Sequence, residues 1–160
     1  MTAIRVGVVD VFVIRIIRNA WRVLLLRRGE RGRSTGSWET VHGRIERGET
    51  PARAALRELR EETGLVPDRL YSITVNPFYL HQTSAVQLAV VFAAFVASDE
   101  VRLGPEHDRH DWLTVSQAAK RFTWPREGEA LGHIRKLLRS GHAGVVEDVL
   151  RVRIPASRIS

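Results

Sequence analysis

At 160 residues with 44% hydrophobic side chains, the chain is long and apolar enough to bury one core, which argues against disorder, collagen-like repeats and a multidomain assembly. It contains no cysteine, so disulfides, thiolate zinc sites, iron–sulfur clusters and a cysteine nucleophile are excluded, and a reducing cytoplasm is the expected compartment. There are 25 basic residues against 18 acidic ones, for a net charge of +7, and 23 of the 25 are arginine. A genome-wide arginine bias is the plainest source. Eight arginines nevertheless fall between Arg5 and Arg33, and guanidinium forks match phosphate oxygens.

In chain order, Ile4–Ile17 and Trp21–Leu26 are rich in valine, isoleucine and leucine and read as two strands joined tightly at Arg18-Asn19-Ala20, a hairpin. Arg15, Arg18 and Arg22 interrupt this apolar stretch before it reaches the ~18 to 20 residues needed to span a bilayer, and no secretory leader is apparent, so no membrane partner is expected. Gly29–Gly36 carries three glycines among charged and hydroxyl residues and reads as a mobile loop of the kind that touches substrate. Thr50-Pro51 marks a helix start and Gly64 its end; within it Ala52, Ala55, Leu56 and Leu59 form one apolar stripe. Leu70–Val75 and Val86–Val96 read as strands, the second as a buried central one. A short strand is expected around Trp112, then helices over Val115–Phe122 and Glu127–Leu138, and Val145–Ile154 could add an edge strand. With no internal repeat and no dividing linker, residues 1–160 read as one mixed α/β domain, its core about 4–140 and its C-terminal extension 141–160.

The helix from Pro51 carries a second face. Glu58, Glu61 and Glu62 stand at i, i+3 and i+4, so their carboxylates converge and repel unless a cation neutralises them. Hard oxygen ligands of this kind suit Mg²⁺ or Mn²⁺. A glutamate-rich helix face by itself is usually only a solvated face.

The surrounding segment changes that balance. Gly43, Glu49, Arg57, Glu58, Leu59, Glu61, Glu62, Gly64 and Leu65 fit G-x5-E-x7-R-E-U-x-E-E-x-G-U, U being a bulky aliphatic, a pattern that resembles the Nudix box. A chance match in a chain of this length has a probability on the order of 10⁻⁶ to 10⁻⁷. The resemblance implies an α/β/α sandwich with a mixed β-sheet and a loop–helix–loop that binds divalent metal against a substrate diphosphate. It assigns Glu58, Glu61 and Glu62 as catalytic metal ligands, adds the Gly43 carbonyl, and makes Glu49 and Arg57 a structural brace. Trp38, Val41, Gly43, Ile45, Glu46, Gly48 and Glu49 follow the form W-x-x-V-x-G-x-I-E-x-G-E. That form is similar to the dATP and dihydroneopterin triphosphate pyrophosphohydrolase branch, as are Glu106-His107, Trp112-Leu113 and Trp124. In that branch the position of Glu106 supplies a further metal carboxylate, with Asp111 in reserve. Arg27 and Arg44 are candidate phosphate contacts, and Trp38 and Trp124 candidate platforms for a base or pterin, although tryptophans are more often core. His42, His107 and His110 lie nearby without an assigned role.

The resemblance thus implies Mg²⁺- or Mn²⁺-dependent hydrolysis of a nucleoside or pterin triphosphate to a monophosphate and pyrophosphate. Its rivals are another nucleoside diphosphate-X substrate (a dinucleoside polyphosphate, a nucleotide sugar or an RNA 5′ end) and a non-catalytic Nudix-like domain that binds a nucleotide or nucleic acid. The complete set of glutamates argues against a nucleic-acid partner, and a homodimer built through the arginine-rich N-terminus or the tail is a further alternative.

Overall fold

A computed structural model describes residues 1–156; residues 157–160 of the expected C-terminal extension lie outside the described residues. Strands β1 (Ala3–Ile17) and β2 (Ala20–Arg28) form the expected hairpin. Its two turn residues, Arg18 and Asn19, both take positive φ, 50° and 64°, the two-residue geometry whose twist suits a right-handed hairpin. Chain order then runs through β3 (Trp38–Glu39), β4 (Val41–Arg44), α1 (Pro51–Thr63), β5 (Arg69–Leu80), β6 (Ala85–Phe95), β7 (His107–Leu113), α2 (Val115–Arg121) and α3 (Pro125–Leu137).

The strands make one sheet in the order β3-β2-β1-β6-β5-β8, with β4 beside β1 and β7 beside β2. β8 is Arg151–Val152. β1 and β6 are parallel and the other pairs antiparallel, so the sheet is mixed. β1 carries the fold because its alternating side chains feed two cores. Val9, Val11 and Val13 pack with Leu24, Leu26 and the α1 residues Ala54, Ala55 and Leu59. Phe12 and Ile14 pack with Val23, Leu25, Tyr71, Ala118, Leu131 and Ile134, under α2 and α3. Helices on both faces of a mixed sheet are the layers that the sequence resemblance implies.

One feature of the sheet places the site. β1 pairs with β2 only at its C-terminal end, Ile14–Ile17. Beyond Val23, β2 turns away to pair with β7 and β3, and β4 takes the vacated edge of β1 opposite Val8–Val11. Directly opposite residues share a face of the sheet. Gly43, opposite Val9, therefore faces α1, whereas His42, opposite Asp10, faces the α3 layer.

Several boundaries differ from expectation for local reasons. β5 runs on through Pro77 to Leu80, because only β6 pairs with it there and an edge position leaves the missing N–H without consequence. α3 starts two residues early, at Pro125, where proline fits the first helical position. In the tail, only Arg151–Val152 adds a strand; Gly144–Leu150 is a 3₁₀ turn and a short helix, α4 (Glu147–Leu150). Tyr71 donates its hydroxyl hydrogen to Glu147 at 2.7 Å, fixing this segment to β5. No helix among the described residues is long and apolar enough to cross a membrane.

Candidate functional site

Helix α1 is held at both ends by its own sequence. Thr50 caps the start by accepting the Arg53 N–H, and Gly64 ends it in the left-handed region at φ 74°. The loop that follows β6 then lies along the helix end. Arg102 N–H donates to the Thr63 carbonyl at 2.8 Å and Gly104 N–H to the Glu62 carbonyl at 3.3 Å. A Cβ on Gly104 would stand 3.0 Å from the Glu61 carbonyl, so glycine permits this approach. The loop thereby delivers Glu106 and His107 to α1.

Glu58, Glu61, Glu62, Gly104, Pro105, Glu106 and His107 line one cleft of about 160 Å³. Glu62 is 5% exposed. Its Oε2 accepts the His42 backbone N–H at 3.2 Å, while its buried Oε1 has no partner. Burial, together with Glu58, Glu39 and Glu106, pushes the Glu62 carboxyl well above its ordinary value. Glu58 is also raised, by burial and by Glu61 and Glu106, against the pull of Arg57. On the facing strand Gly43 makes room for it: a Cβ there would overlap the Glu58 carboxyl.

One ligand atom from each of Glu62, Glu106 and His107 lies within 4.8 Å of the others. The Glu106 carboxylate at that range disfavours a second negative charge on Glu62. A divalent cation removes that repulsion and gives the orphaned Glu62 oxygen a partner, so the donor set fits such an ion. The candidate ligands are Glu58, Glu61, Glu62 and Glu106, with the Gly43 backbone beside them.

Arg57 organises the outer side. Its Nε and Nη2 donate to the two oxygens of Glu49, each at 2.8 Å; Nη1 donates to Glu58 at 2.8 Å and Glu61 at 3.2 Å; and Nη2 also reaches the Arg44 carbonyl at 2.8 Å. The fork thus ties the loop before α1 to the cleft carboxylates Glu58 and Glu61. The Arg57 bonds and the Glu46 N–H hold the Glu49 carboxyl down to about 2.

The remaining candidates are dispersed. Arg27 is committed to Asp108 through two bonds of 2.8 and 2.9 Å. Arg44 presents an exposed side chain beside the box. Trp38 packs against the α2/α3 core under the Arg121 guanidinium, 5.1 Å from its ring. Trp124 is 38% exposed, with Arg126 at 5.7 Å. Asp111 pairs with Arg121 at 3.2 Å and stands outside the cleft.

A second polar cluster, on the α3 side of β4, went unread in the sequence. Asp10, fully buried in β1, accepts from His42 Nδ1 at 2.6 Å and lies 3.6 Å from Arg126 Nε. Glu127, 1% exposed, accepts the Thr40 N–H at 2.6 Å; burial and Asp10 push its carboxyl well above the ordinary range. Arg126 lies over Phe78 at 4.4 Å. The signal was a lone acid within the apolar run of β1, which a core strand does not carry without a reason.

Comparison with known proteins identifies the family of the chain. Over 105 residues, 63% of this chain, it is 45% identical to a protein named octanoyltransferase from Myxococcus xanthus, of which the match covers 29%. It is 30% identical over 105 residues to the oxidized purine nucleoside triphosphate hydrolase of Mus musculus, covering 64% of this chain and 65% of that protein. The chain therefore spans less than two thirds of the length of these relatives. Among solved structures, a C. elegans Ap4A hydrolase superposes with a TM-score of 0.69 at 19% identity, over 83% of this chain and 97% of that one, a likeness of fold. Residues 7–132 match the NUDIX domain, and the chain belongs to that family.

Proposed function

We propose that this protein is a divalent-metal-dependent hydrolase that cleaves a nucleoside triphosphate, or a related pterin triphosphate, to the monophosphate and pyrophosphate. The observation that carries the reading is the buried, unpartnered Glu62 oxygen in a cleft shared with Glu58, Glu61 and Glu106. Family membership and the oxidized-purine relative support it. Bound Mg²⁺ or Mn²⁺ would neutralise charge on neighbouring phosphate oxygens and acidify water. The chain's own part is to hold Glu62 and Glu106 inward and Gly43 against Glu58. Glu58 and Glu61, both bonded to Arg57, are the candidates for accepting the proton of the attacking water. On the other side of β4, Trp124 and Phe78 offer aromatic surface to the base. Arg44 is the box arginine available to phosphate.

The test is a panel of nucleoside triphosphates and dihydroneopterin triphosphate with Mg²⁺ or Mn²⁺, assayed for pyrophosphate and run with Glu62→Gln. Pyrophosphate release that falls by at least 100-fold in the variant is expected, because the variant removes a buried charged ligand. Undiminished release in Glu62→Gln would remove the metal site. The fold likeness to an Ap4A hydrolase supports a second reading, cleavage of a dinucleoside polyphosphate; turnover of a dinucleoside tetraphosphate added to the panel, giving a nucleoside monophosphate and a nucleoside triphosphate while the triphosphates release no pyrophosphate, would favour it.

A further inference from the structure

We propose that His107 is a nitrogen ligand of this cation site, presenting Nδ1 beside Glu62 and Glu106 while Glu39 holds the far side of its ring. The proposal rests on the cleft being a cation site, and it adds an imidazole to a set otherwise made of oxygens.

His107 opens β7 and sits opposite Arg28 of β2. Its side chain is 0% exposed. Nε2 lies 2.9 Å from Glu39 Oε1, and the same oxygen accepts from Arg28 Nη1 at 2.9 Å. An Arg-paired carboxylate is an acceptor only, so Nε2 donates to it, and in the neutral imidazole the lone pair falls on Nδ1. Nδ1 is buried and has no partner. A buried nitrogen without a hydrogen bond calls for an explanation; one ring nitrogen of His107 lies within 4.8 Å of ligand atoms of Glu62 and Glu106, and with Nε2 taken by Glu39, Nδ1 is the nitrogen free to serve them. The Glu62 oxygen beside it is likewise unpartnered. A carboxylate on one ring nitrogen and a metal on the other is the usual way in which proteins orient a ligating histidine. Arg28 extends that support by one more residue.

The consequence is selectivity. First-row ions accept imidazole nitrogen, Mn²⁺ the most weakly among them, whereas Mg²⁺ favours oxygen more strictly still. The site should therefore hold Mn²⁺ more tightly than an all-carboxylate site would, relative to Mg²⁺.

Pulsed electron paramagnetic resonance on the full chain titrated with Mn²⁺ tests this. The expected result is ¹⁴N modulation from a directly bound imidazole, replaced by the ¹⁵N pattern when histidine is isotopically labelled. It should persist in His42→Gln, which leaves His107 untouched, and disappear in His107→Gln, with Mn²⁺ affinity lower by 10- to 100-fold and Mg²⁺ affinity changed less. Glu39→Gln should weaken Mn²⁺ binding while retaining the modulation. Mn²⁺ bound with Glu62-dependent affinity but without directly coupled nitrogen would overturn the role of His107 and leave the cation site standing. No Glu62-dependent Mn²⁺ binding at all would overturn both.

Discussion

Arg57 shows how much one side chain carries at this site. Its fork meets Glu49 with two parallel bonds and still reaches Glu58, Glu61 and a backbone carbonyl. An ammonium has neither the plane nor the number of donors to repeat this. Arg57→Lys should therefore lower turnover by at least 10-fold with little loss of global stability, measurable as kcat beside a thermal melt. Equal kcat in the two proteins would show the brace to be dispensable. The Glu49 end gives a pH signature with a definite sign. A carboxyl held at about 2, below its ordinary 4.5, adds stability above pH 4.5 and loses it as pH falls towards 2. The Tm difference between wild type and Glu49→Gln should be largest near neutrality, shrink through that window and decrease in high salt, since the pair lies at the surface. A difference independent of pH would assign the effect to packing.

At the scale of elements, the position of the cleft depends on the loop that reaches Gly104. Gly104→Ala puts a methyl group against the Glu61 carbonyl, and either the loop or the helix end must move. Weaker Mn²⁺ binding, by about 10-fold on the scale of lost second-shell support, is expected, with the helix content by circular dichroism unchanged. Unaltered binding would show that Glu106 and His107 reach α1 without this contact. α1 itself was readable in the chain because its signals are local: Thr50-Pro51, the stripe ending at Leu59, and Gly64. The convergence of Glu58, Glu61 and Glu62 was readable for the same reason, as helical spacing alone puts them on one side. The His107–Glu39 and His42–Asp10 pairs were not, since they join residues 68 and 32 positions apart and exist only through the register of β7, β2, β4 and β1. The bidentate bond of Arg27 to Asp108, 81 positions away, was hidden in the same manner. Local chemistry was legible, and cross-strand register was not.

Over the whole molecule, the two cores form separate clusters on opposite faces of the sheet, so damage on one side need not reach the other. Ile134, fully buried in the α3 layer, contributes nothing directly to the cleft under α1. Ile134→Ala should cost about 2–5 kcal/mol of stability, read by denaturant titration, while Mn²⁺ affinity measured well below the melting point stays within about twofold. A parallel loss of affinity would show that the layers are coupled more tightly than their separate contacts indicate.

The exchange of partners along β1, β2 for its last residues and β4 for its middle ones, also bears on the size of what the protein can hold. Among the described residues β4 pairs with β1 alone, so no strand covers its other edge, where the His42 N–H meets Glu62, and its consecutive residues His42 and Gly43 look to opposite layers of the molecule. A ligand that touched both the carboxylates under α1 and the aromatic surface near α3 would have to cross that edge. The strand then acts as a ruler. The distance between the anionic end of a ligand and its planar end, set by the number of phosphates between them, becomes a quantity to vary, and polyphosphates of stepped length would read it.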